Sequence, residues 1–278
     1  MYKEFYGLTK KPFSKTPDPE FLYLSRQHKE ALARLEYTVE ERDLFILTGE
    51  IGTGKTTLSR MLIDTLDDDA YKVIMIINPT LSPTQFLRTV AKGLGLKSLP
   101  HSRLDIGEMI NEKLFEYYEN DILPVIIIDE AQLIPTKKTF DEIRLMTNFQ
   151  LDTENLLSLI LLAQPELNRR LKHPVYSAFL QRVGMRFHLK NLSYDEVIEY
   201  LTFRTNKSGR EESLFSNSAV EVIYEYSGGI PRLINNIAAN SLLNGFGKEE
   251  DPIMPETVLD VVEELQLTKP KRISVGGK

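Results

Sequence analysis

The chain has 278 residues, which is enough for one large domain or two small ones with a proper hydrophobic core. It contains no cysteine, and this excludes disulfide scaffolds, thiol catalysis and cysteine-ligated metal sites. Its formal net charge of −6 argues against a surface that attracts nucleic acid everywhere, although a local basic patch stays open.

No segment of the sequence predicts export or a membrane span. The N-terminal residues 1–15 carry scattered lysines and lack the apolar run of a signal peptide. The longest apolar stretch, residues 156–163, is far shorter than the roughly 20 residues that span a bilayer. We therefore expect a cytoplasmic protein with no membrane span in this chain.

Five short apolar runs predict the strands of a sheet in the first two thirds of the chain. They cover residues 44–48, 72–77, 124–128, 158–163 and 185–189. Most are rich in Ile, Val and Leu without polar alternation, which is typical of strands buried on both faces of a parallel sheet. Stretches with helical spacing, such as Ala31, Leu35 and Val39, separate the runs. The alternation predicts an α/β fold with right-handed crossovers.

The pattern after residue 190 is entirely helical. Ser193 and Glu196 form the capping box that begins a helix. A second helix should end at Gly228–Gly229, and Pro231 suits the first turn of the next one. The predicted segments are an N-terminal linker at 1–26, a P-loop α/β domain at 27–190, a helical lid at 191–267 and a disordered basic tail at 268–278.

The residues between the first strand and the following helix fit the phosphate-binding loop pattern G-x-x-x-x-G-K-[ST]. Glycines let backbone amides curl around phosphate oxygens at a helix N-terminus, where the helix dipole favours negative charge. Lys55 would reach the β- and γ-phosphates of ATP, and the Thr56 hydroxyl would hold Mg²⁺. An ordinary Gly-rich turn is the alternative. The predicted nucleotide-binding residues here are Gly49, Glu50, Ile51, Gly52, Thr53, Gly54, Lys55, Thr56 and Thr57.

A second strand ends in two acidic residues. Residues 125–128 are four consecutive β-branched aliphatic residues, and Asp129 and Glu130 follow them. An aspartate at that position would lie beside the metal, usually through water. Glu130 is the candidate base that polarises the attacking water. Acidic residues often end strands, so this pair alone is a weak signal. It points to ATP hydrolysis because a phosphate loop precedes it in the sequence.

Two polar residues further along are candidates for contacts with the phosphates. Gln164 follows the 158–163 strand and could contact the γ-phosphate or orient the water; a cap for the turn before Pro165 is the alternative. Arg232 lies in the first turn of a helix that follows a double glycine. A guanidinium held there can reach back to the nucleotide and couple the lid to ATP. An ordinary capping arginine is the alternative.

One arginine is a candidate for action on a neighbouring subunit. Arg182 lies just before the last strand and could project into the nucleotide of the next subunit, where it would neutralise transition-state charge. Arg169 and Arg170 are rivals for this role, and Arg186 is a weaker one because it falls within a strand. A solvated surface arginine is the alternative.

With these residues assembled, the chain resembles an AAA+ ATPase of the ExeA/GspA-type family of bacterial secretion and pilus systems. The segments that resemble the family's N-terminal signature are residues 2–8, 12–14, 16–19, 21–25 and 28–32. The resemblance extends to about Leu267 and implies a P-loop ATPase domain with a helical lid. It implies that Tyr23 and His28 belong to a segment that lines the adenine.

The same resemblance implies further roles for the phosphate-site residues. It assigns Lys55 and Thr56 to Walker A, Asp129 and Glu130 to Walker B, and Arg232 to sensor 2; these assignments follow the family pattern. Gln164 departs from the commoner Asn or Thr of sensor 1.

The resemblance also implies partners. It suggests a ring or filament of identical subunits that forms on ATP binding, with the active site completed between subunits, and a protein partner in envelope assembly. The ATPase subunits of Tn7-like transposons look closely related, and they assemble on duplex DNA to recruit a transposase. A DNA-bound scaffold is therefore the alternative function, against which the acidic net charge argues mildly.

Overall fold

The computed structural model describes residues 1–14, 19–151 and 154–270. They fall into two compact units. The α/β unit comprises Arg26–Glu50 and Gly54–Leu189, and the helical unit comprises Met1–Ser25, Ile51–Thr53 and Lys190–Lys278. Residues 16–18 of the N-terminal signature and 271–278 of the predicted tail lie outside the described residues.

The α/β unit contains a five-stranded sheet in which every pair of neighbouring strands is parallel. The strands are β1 (Leu44–Gly49), β2 (Tyr71–Ile76), β3 (Leu123–Ile128), β4 (Ser158–Ala163) and β5 (Met185–Leu189), in the spatial order β2-β3-β4-β1-β5. Each agrees with a predicted strand to within one residue at either end. The predicted α/β fold with a parallel sheet is therefore confirmed.

The burial of each strand follows from its place in the sheet. The three central strands β1, β3 and β4 are buried along their whole length, whereas the edge strand β5 alternates between partly buried and exposed residues. The register pairs Thr48 on β1 with Ala163 on β4, and Ile128 on β3 with Leu161 on β4. The carboxyl ends of the three central strands therefore meet at one edge of the sheet.

Seven α-helices accompany the sheet in the described part of the α/β unit. They are α2 (Arg26–Glu40), α3 (Lys55–Thr65), α4 (Pro83–Gly93), α5 (Arg103–Glu119), α6 (Lys137–Met146), α7 (Pro165–Leu171) and α8 (Ser177–Leu180), where α1 is the short N-terminal helix described below. The predicted apolar stripe on α2 is confirmed, because Ala31, Leu35 and Val39 are all buried. Side chains of α4 to α8 form one buried cluster with strand residues, and α2 and α3 pack on β1.

A carboxylate on α6 is buried and paired with an arginine. Glu142 on α6 is 4% exposed and forms an ion pair with Arg103, at the start of α5, with an N–O distance of 2.5 Å. Burial raises the pKa of Glu142 above its ordinary value although the guanidinium of Arg103 opposes that change.

The helical unit is built from the C-terminal helices and the N-terminal segment. Its helices are α1 (Tyr2–Phe5), α9 (Tyr194–Lys207), α10 (Asn217–Ser227), α11 (Pro231–Gly247) and α12 (Pro255–Glu264). The capping box of Ser193 and Glu196 begins α9, as predicted. Gly228 ends α10 in the left-handed conformation with φ 56°, and Pro231 is the first residue of α11. The predicted helix signals are therefore confirmed.

The sequence predicts a linker at 1–26, but described residues of this N-terminal segment pack in the core of the helical unit. Tyr6, Leu8 and Phe13 are buried in the same cluster as residues of α9 to α12. The buried Arg204 on α9 holds this segment, since its Nε donates to the carbonyl oxygen of Pro12 at 2.7 Å. Among the described residues, no helix is long and apolar enough to cross a membrane.

Candidate nucleotide-binding site

The predicted phosphate loop has the required strand–loop–helix geometry. Strand β1 ends at Gly49, and α3 begins at Lys55. Gly54 precedes the helix with φ 107°, a conformation that side chains rarely adopt. A Cβ at Gly54 would lie 3.1 Å from Nε2 of the buried His28, so a side chain here would crowd the imidazole. The geometry fits a loop whose backbone amides face a phosphate.

Lys55, the cationic residue of this loop, is buried. The residue is 8% exposed, and its Nζ donates to the carbonyl oxygens of Gly49 at 2.7 Å and Glu50 at 2.9 Å. These contacts hold the ammonium group within the loop, next to the helix N-terminus where a phosphate would bind. The following residue on the same first turn, Thr56, is exposed, and Thr57 is half-buried.

The structure brings the two predicted metal ligands together. Thr56 Oγ1 donates to Asp129 Oδ2 at 2.9 Å, and Asp129 is 6% exposed at the end of β3. A hydroxyl and one carboxylate form a donor set that fits Mg²⁺, which is usually held by one or two carboxylates together with phosphates and water. Among the described residues, no group of three or more His, Cys, Asp or Glu side chains is arranged to hold a metal ion. A bound Mg²⁺ would therefore depend on Thr56, Asp129 and the phosphates of the nucleotide.

Glu130, the predicted base, lies beside Asp129 in an unusual backbone conformation. Its φ is 53°, in the left-handed region, and it directly precedes the 3₁₀ turn Ala131–Leu133. Its backbone N–H donates to Asp129 Oδ1 at 2.8 Å, which leaves the other oxygen of Asp129 to Thr56. Backbone strain of this kind often marks a functional site.

The predicted sensor Gln164 contacts the predicted base directly. Its Nε2 donates to Glu130 Oε2 at 3.0 Å, and Gln132 Nε2 donates to the same oxygen. Sequence reasoning missed Gln132, a half-buried residue of the 3₁₀ turn. The available signal was a long amide side chain three positions after the aspartate that ends β3.

Sequence reasoning also missed a polar cluster at the end of β1. The Nδ2 atom of Asn168 on α7 donates to Thr48 Oγ1 at 2.9 Å, and that hydroxyl lies 3.0 Å from His188 Nδ1 on β5. The cluster joins α7 to β1 and β5 directly before the phosphate loop begins. It orders the strand end from which the loop departs.

The tip of the phosphate loop belongs to the helical unit together with Arg232. Residues Ile51, Gly52 and Thr53 are assigned to this unit, and the backbone N–H of Arg232 donates to the carbonyl oxygen of Gly52 at 3.4 Å. Arg232 is the second residue of α11, and its side chain is exposed. The prediction that it occupies the first turn of a helix is confirmed.

Tyr23 belongs to the N-terminal segment of the helical unit and packs against α9. Its hydroxyl donates to Glu199 Oε2 at 2.6 Å, and its ring meets that of Tyr200 edge-on with centroids 5.7 Å apart. Burial and this hydrogen bond to a carboxylate both raise the pKa of Tyr23 above its ordinary value. The described contacts fix the ring by packing, and its predicted role toward adenine stays a prediction.

The four arginines that are candidates for action on a neighbouring subunit differ in the contacts that their side chains make within the chain. Arg182 is exposed, and its side chain has no hydrogen bond or ion pair among the described residues. Arg170 is occupied within the chain: its Nε donates to Tyr176 Oη at 2.9 Å, and its guanidinium lies 5.0 Å from the ring centroid of Phe140. Arg170 is therefore held as a structural residue, which leaves Arg182 as the stronger candidate.

The two remaining arginines are exposed and weakly held. Arg169 lies 4.0 Å from Glu166 in an ion pair, and its side chain is 78% exposed. Arg186 lies on the edge strand β5, where its Nη2 donates to the carbonyl oxygen of Leu180 at 3.4 Å. Both stay rivals of Arg182.

The fold and this site define a class of protein. An AAA domain matches residues 38–171. Solved structures with the same fold include the ORC2 protein of Aeropyrum pernix in ADPNP–ADP complexes, with a TM-score of 0.65 and 16% identity over 94% of this chain and 72% of that chain. They also include the RuvB Holliday junction branch migration motor of Thermotoga maritima, with a TM-score of 0.57 and 19% identity over 87% of this chain and 70% of that chain. At identities this low, similarity to a solved structure shows only the fold. Together with the matching AAA domain, that fold is the fold of an AAA+ P-loop protein.

One relative matches nearly the whole chain. General secretion pathway protein A of Aeromonas hydrophila is 36% identical over 261 residues, which cover 91% of this chain. The resemblance to the ExeA/GspA-type family, which the N-terminal signature predicts, is thereby confirmed. The chain spans 46% of the length of that protein, so it corresponds to about half of it.

Proposed function

We propose that the chain binds ATP with Mg²⁺ and hydrolyses it. The observation that carries this proposal is the 2.9 Å hydrogen bond between Thr56 Oγ1 and Asp129 Oδ2, beside a buried Lys55 and with Glu130 next in sequence. The contact brings a hydroxyl from the first turn of α3 and a carboxylate from the end of β3 to one place, as a shared Mg²⁺ would require. The adjacent glutamate favours hydrolysis over nucleotide binding alone.

The residues at this edge of the sheet have separate roles in the proposed reaction. The loop amides and the Lys55 ammonium bind the β- and γ-phosphates and offset their charge. Mg²⁺ bound by Thr56 and Asp129 would supply further charge neutralisation on the phosphates. Glu130 accepts a proton from water as the water oxygen bonds to the γ-phosphorus. The bond from that phosphorus to the β–γ bridging oxygen breaks, and ADP and phosphate are the products.

We propose that the site is completed by a second copy of the chain and is sensed by the helical unit. The side chain of Arg182 is exposed and has no hydrogen bond or ion pair among the described residues, which suits a guanidinium that acts on another subunit's γ-phosphate. Arg232 contacts Gly52 at the tip of the loop through its backbone, and its exposed side chain is available to the phosphates. Loss of the γ-phosphate would then release the helical unit.

We further propose that the energy of ATP is used on a protein partner in bacterial secretion or pilus assembly, with this chain acting in the cytoplasm where ATP is available. Support comes from the 36% identity to General secretion pathway protein A. A DNA-bound scaffold is the outcome that would contradict this partner. The proposal predicts no ATP-dependent shift of duplex DNA in a gel at any point of a salt series, and a shift that requires ATP and weakens with salt would overturn it.

Calorimetry and turnover assays test the ATPase itself. Wild-type protein should bind ATP with Mg²⁺, and Lys55→Ala should lose that binding. Glu130→Gln should bind ATP with an unchanged Kd and lose nearly all turnover. A wild-type protein that takes up neither ATP nor ADP in the presence of Mg²⁺ would refute the proposal, and unchanged turnover in Glu130→Gln would refute the role of that residue.

Mixing two inactive variants tests the shared site. Arg182→Ala subunits retain Lys55, and Lys55→Ala subunits retain Arg182, so a mixed assembly contains some complete sites. Turnover should reappear on mixing. Arg170→Ala, whose guanidinium is held within its own chain, should not be rescued in this way. If mixing restores nothing while both variants assemble, the trans arginine lies elsewhere, with Arg169 and Arg186 the next to test.

A further inference from the structure

One amide side chain joins the base to the residue at the end of the neighbouring strand. Gln132 is the middle residue of the 3₁₀ turn that follows Glu130, and it is half-buried. The backbone N–H of Gln164, at the start of α7, donates to Gln132 Oε1 at 3.0 Å. Since a backbone N–H can only donate, the oxygen of this amide must face Gln164, and its nitrogen then faces the base.

The nitrogen of Gln132 completes a closed set of three hydrogen bonds. Its Nε2 donates to Glu130 Oε2, the oxygen that also accepts from Gln164 Nε2 at 3.0 Å. Two donors thus converge on one carboxylate oxygen, and both come from residues that touch each other. Oε1 of Glu130 has no hydrogen-bond partner within the described ranges of the chain.

We propose that Gln132 is a positioning residue for ATP hydrolysis, an inference that rests on the proposed ATPase function. By holding Oε2, it turns Oε1 toward the space in which the attacking water would lie, so that the proton of the water passes to Oε1. The left-handed backbone at Glu130 fixes only where the side chain starts, and rotation about χ1, χ2 and χ3 still decides where the carboxylate oxygens lie. A misplacement of about 1 Å at a reacting group can cost about a hundredfold in rate.

Gln132 is better suited to this task than Gln164. A γ-phosphate that attracts the amide of Gln164 would draw one donor away from Glu130. Gln132 contacts no other predicted site residue with its nitrogen, so its donor stays on Oε2. Its oxygen accepts a hydrogen bond from the backbone N–H of Gln164. One amide side chain therefore links the residues that follow β3 to the residue that follows β4.

Two substitutions of Gln132 separate positioning from simple packing. Gln132→Glu keeps the size of the side chain and an oxygen that accepts from the Gln164 N–H, but it sets a carboxylate oxygen against Glu130. Gln132→Ala removes both contacts. Each should lower kcat about tenfold or more and leave the Kd for ATP within about twofold of wild type. Leu133→Ala, in the same turn and 49% exposed, is the matched control and should keep the wild-type kcat.

A second background tests whether Gln132 acts through Glu130. In Glu130→Gln protein, adding Gln132→Ala should cause no further loss in single-turnover rate, because the carboxylate that it positions is already gone. An equal further loss there, or a wild-type kcat in both Gln132 variants, would overturn the inference and leave the proposed ATPase standing. A wild-type chain with no turnover at all would overturn both, and thermal unfolding of each variant identifies any that fails to fold.

Discussion

Replacing Arg204 with Met measures how firmly the N-terminal segment is bound to the helical unit. Arg204 is 7% exposed, and its guanidinium donates to the carbonyl oxygen of Pro12 at 2.7 Å and to Tyr200 Oη at 2.5 Å. The same group lies 5.5 Å from the ring centroid of Phe21. Methionine keeps an unbranched apolar stem and removes the charge together with both donors.

The expected loss follows from these contacts. A hydrogen bond from a charged donor contributes about 1.5–3 kcal/mol, so two of them contribute about 3–6 kcal/mol. A desolvated cation–π contact adds about 1–2 kcal/mol. Wild type, however, must desolvate the guanidinium at a cost of several kcal/mol, which the variant avoids. The net decrease in the free energy of unfolding should be about 2–4 kcal/mol.

Urea unfolding followed by circular dichroism measures this difference in the free energy of unfolding. Circular dichroism is the suitable probe because the chain has no tryptophan whose fluorescence could be followed. Limited proteolysis gives a second measurement, because a loosened segment should be cleaved within residues 1–25 first. Lys207→Met removes one charge from the exposed face of the same helix and should change stability by less than about 0.5 kcal/mol. An Arg204→Met protein as stable and as resistant as this control would refute the anchoring role.

Three further predictions follow from single contacts. Gly52→Ala would place a Cβ 2.6 Å from the Cβ of Arg232 at φ 86°, so ATP affinity should fall at least tenfold by calorimetry, whereas Gly95→Ala, at φ 91° with open space, should keep it. The folded-state pKa of Glu142 is raised, so the folded state binds the proton more tightly than the unfolded state does. Stability should therefore fall as pH rises from about 4.5 through the raised pKa, and Glu142→Gln should flatten that decline in a series of urea unfolding curves. Asn168→Ala should cost about 1 kcal/mol by the same assay, and a loss above 3 kcal/mol would contradict this, because the hydroxyl it contacts keeps other partners.

The sheet, and the positions of the candidate site residues at its carboxyl edge, were predictable because their signals are local. A strand buried on both faces needs an uninterrupted apolar run, and β1, β3 and β4 each provide one. The residue that follows such a strand is then placed at the carboxyl edge of the sheet. This is how Asp129 and Gln164 could be assigned to one site before their contacts were known.

The contacts of the N-terminal segment could not be predicted in the same way. Arg204 and Pro12 are 192 residues apart in sequence, and neither belongs to a periodic pattern that indicates the other. The segment has an aromatic side chain such as Phe13 between polar and Pro-containing stretches, which is also the composition of a linker. Only the tertiary fold distinguishes the two, because the burial of Phe13 depends on helices that come much later in the chain.

Side-chain networks mark the other limit of sequence reasoning. Arg170 and Arg182 look alike as arginines near the end of the α/β unit, and their difference lies in whether neighbouring oxygens and rings hold the guanidinium. The case of Gln132 is similar, since an amide in a turn has no pattern that identifies its partners. Its significance comes from two contacts, one to Glu130 and one to the backbone of Gln164.

The rigid and the adjustable parts of the site follow from the same sheet. Strands β1, β3 and β4 are buried along their whole length, and their parallel ladders pair Thr48 with Ala163 and Ile128 with Leu161. Three site residues follow these strand ends within a few residues, so their backbones have little freedom: Lys55 after β1, Asp129 after β3 and Gln164 after β4. Glu130 is different, because a long side chain on a left-handed backbone can point in several directions. Under the proposed ATPase function, the amides that hold this carboxylate control hydrolysis, and a variant that removes them should bind ATP normally and turn it over slowly.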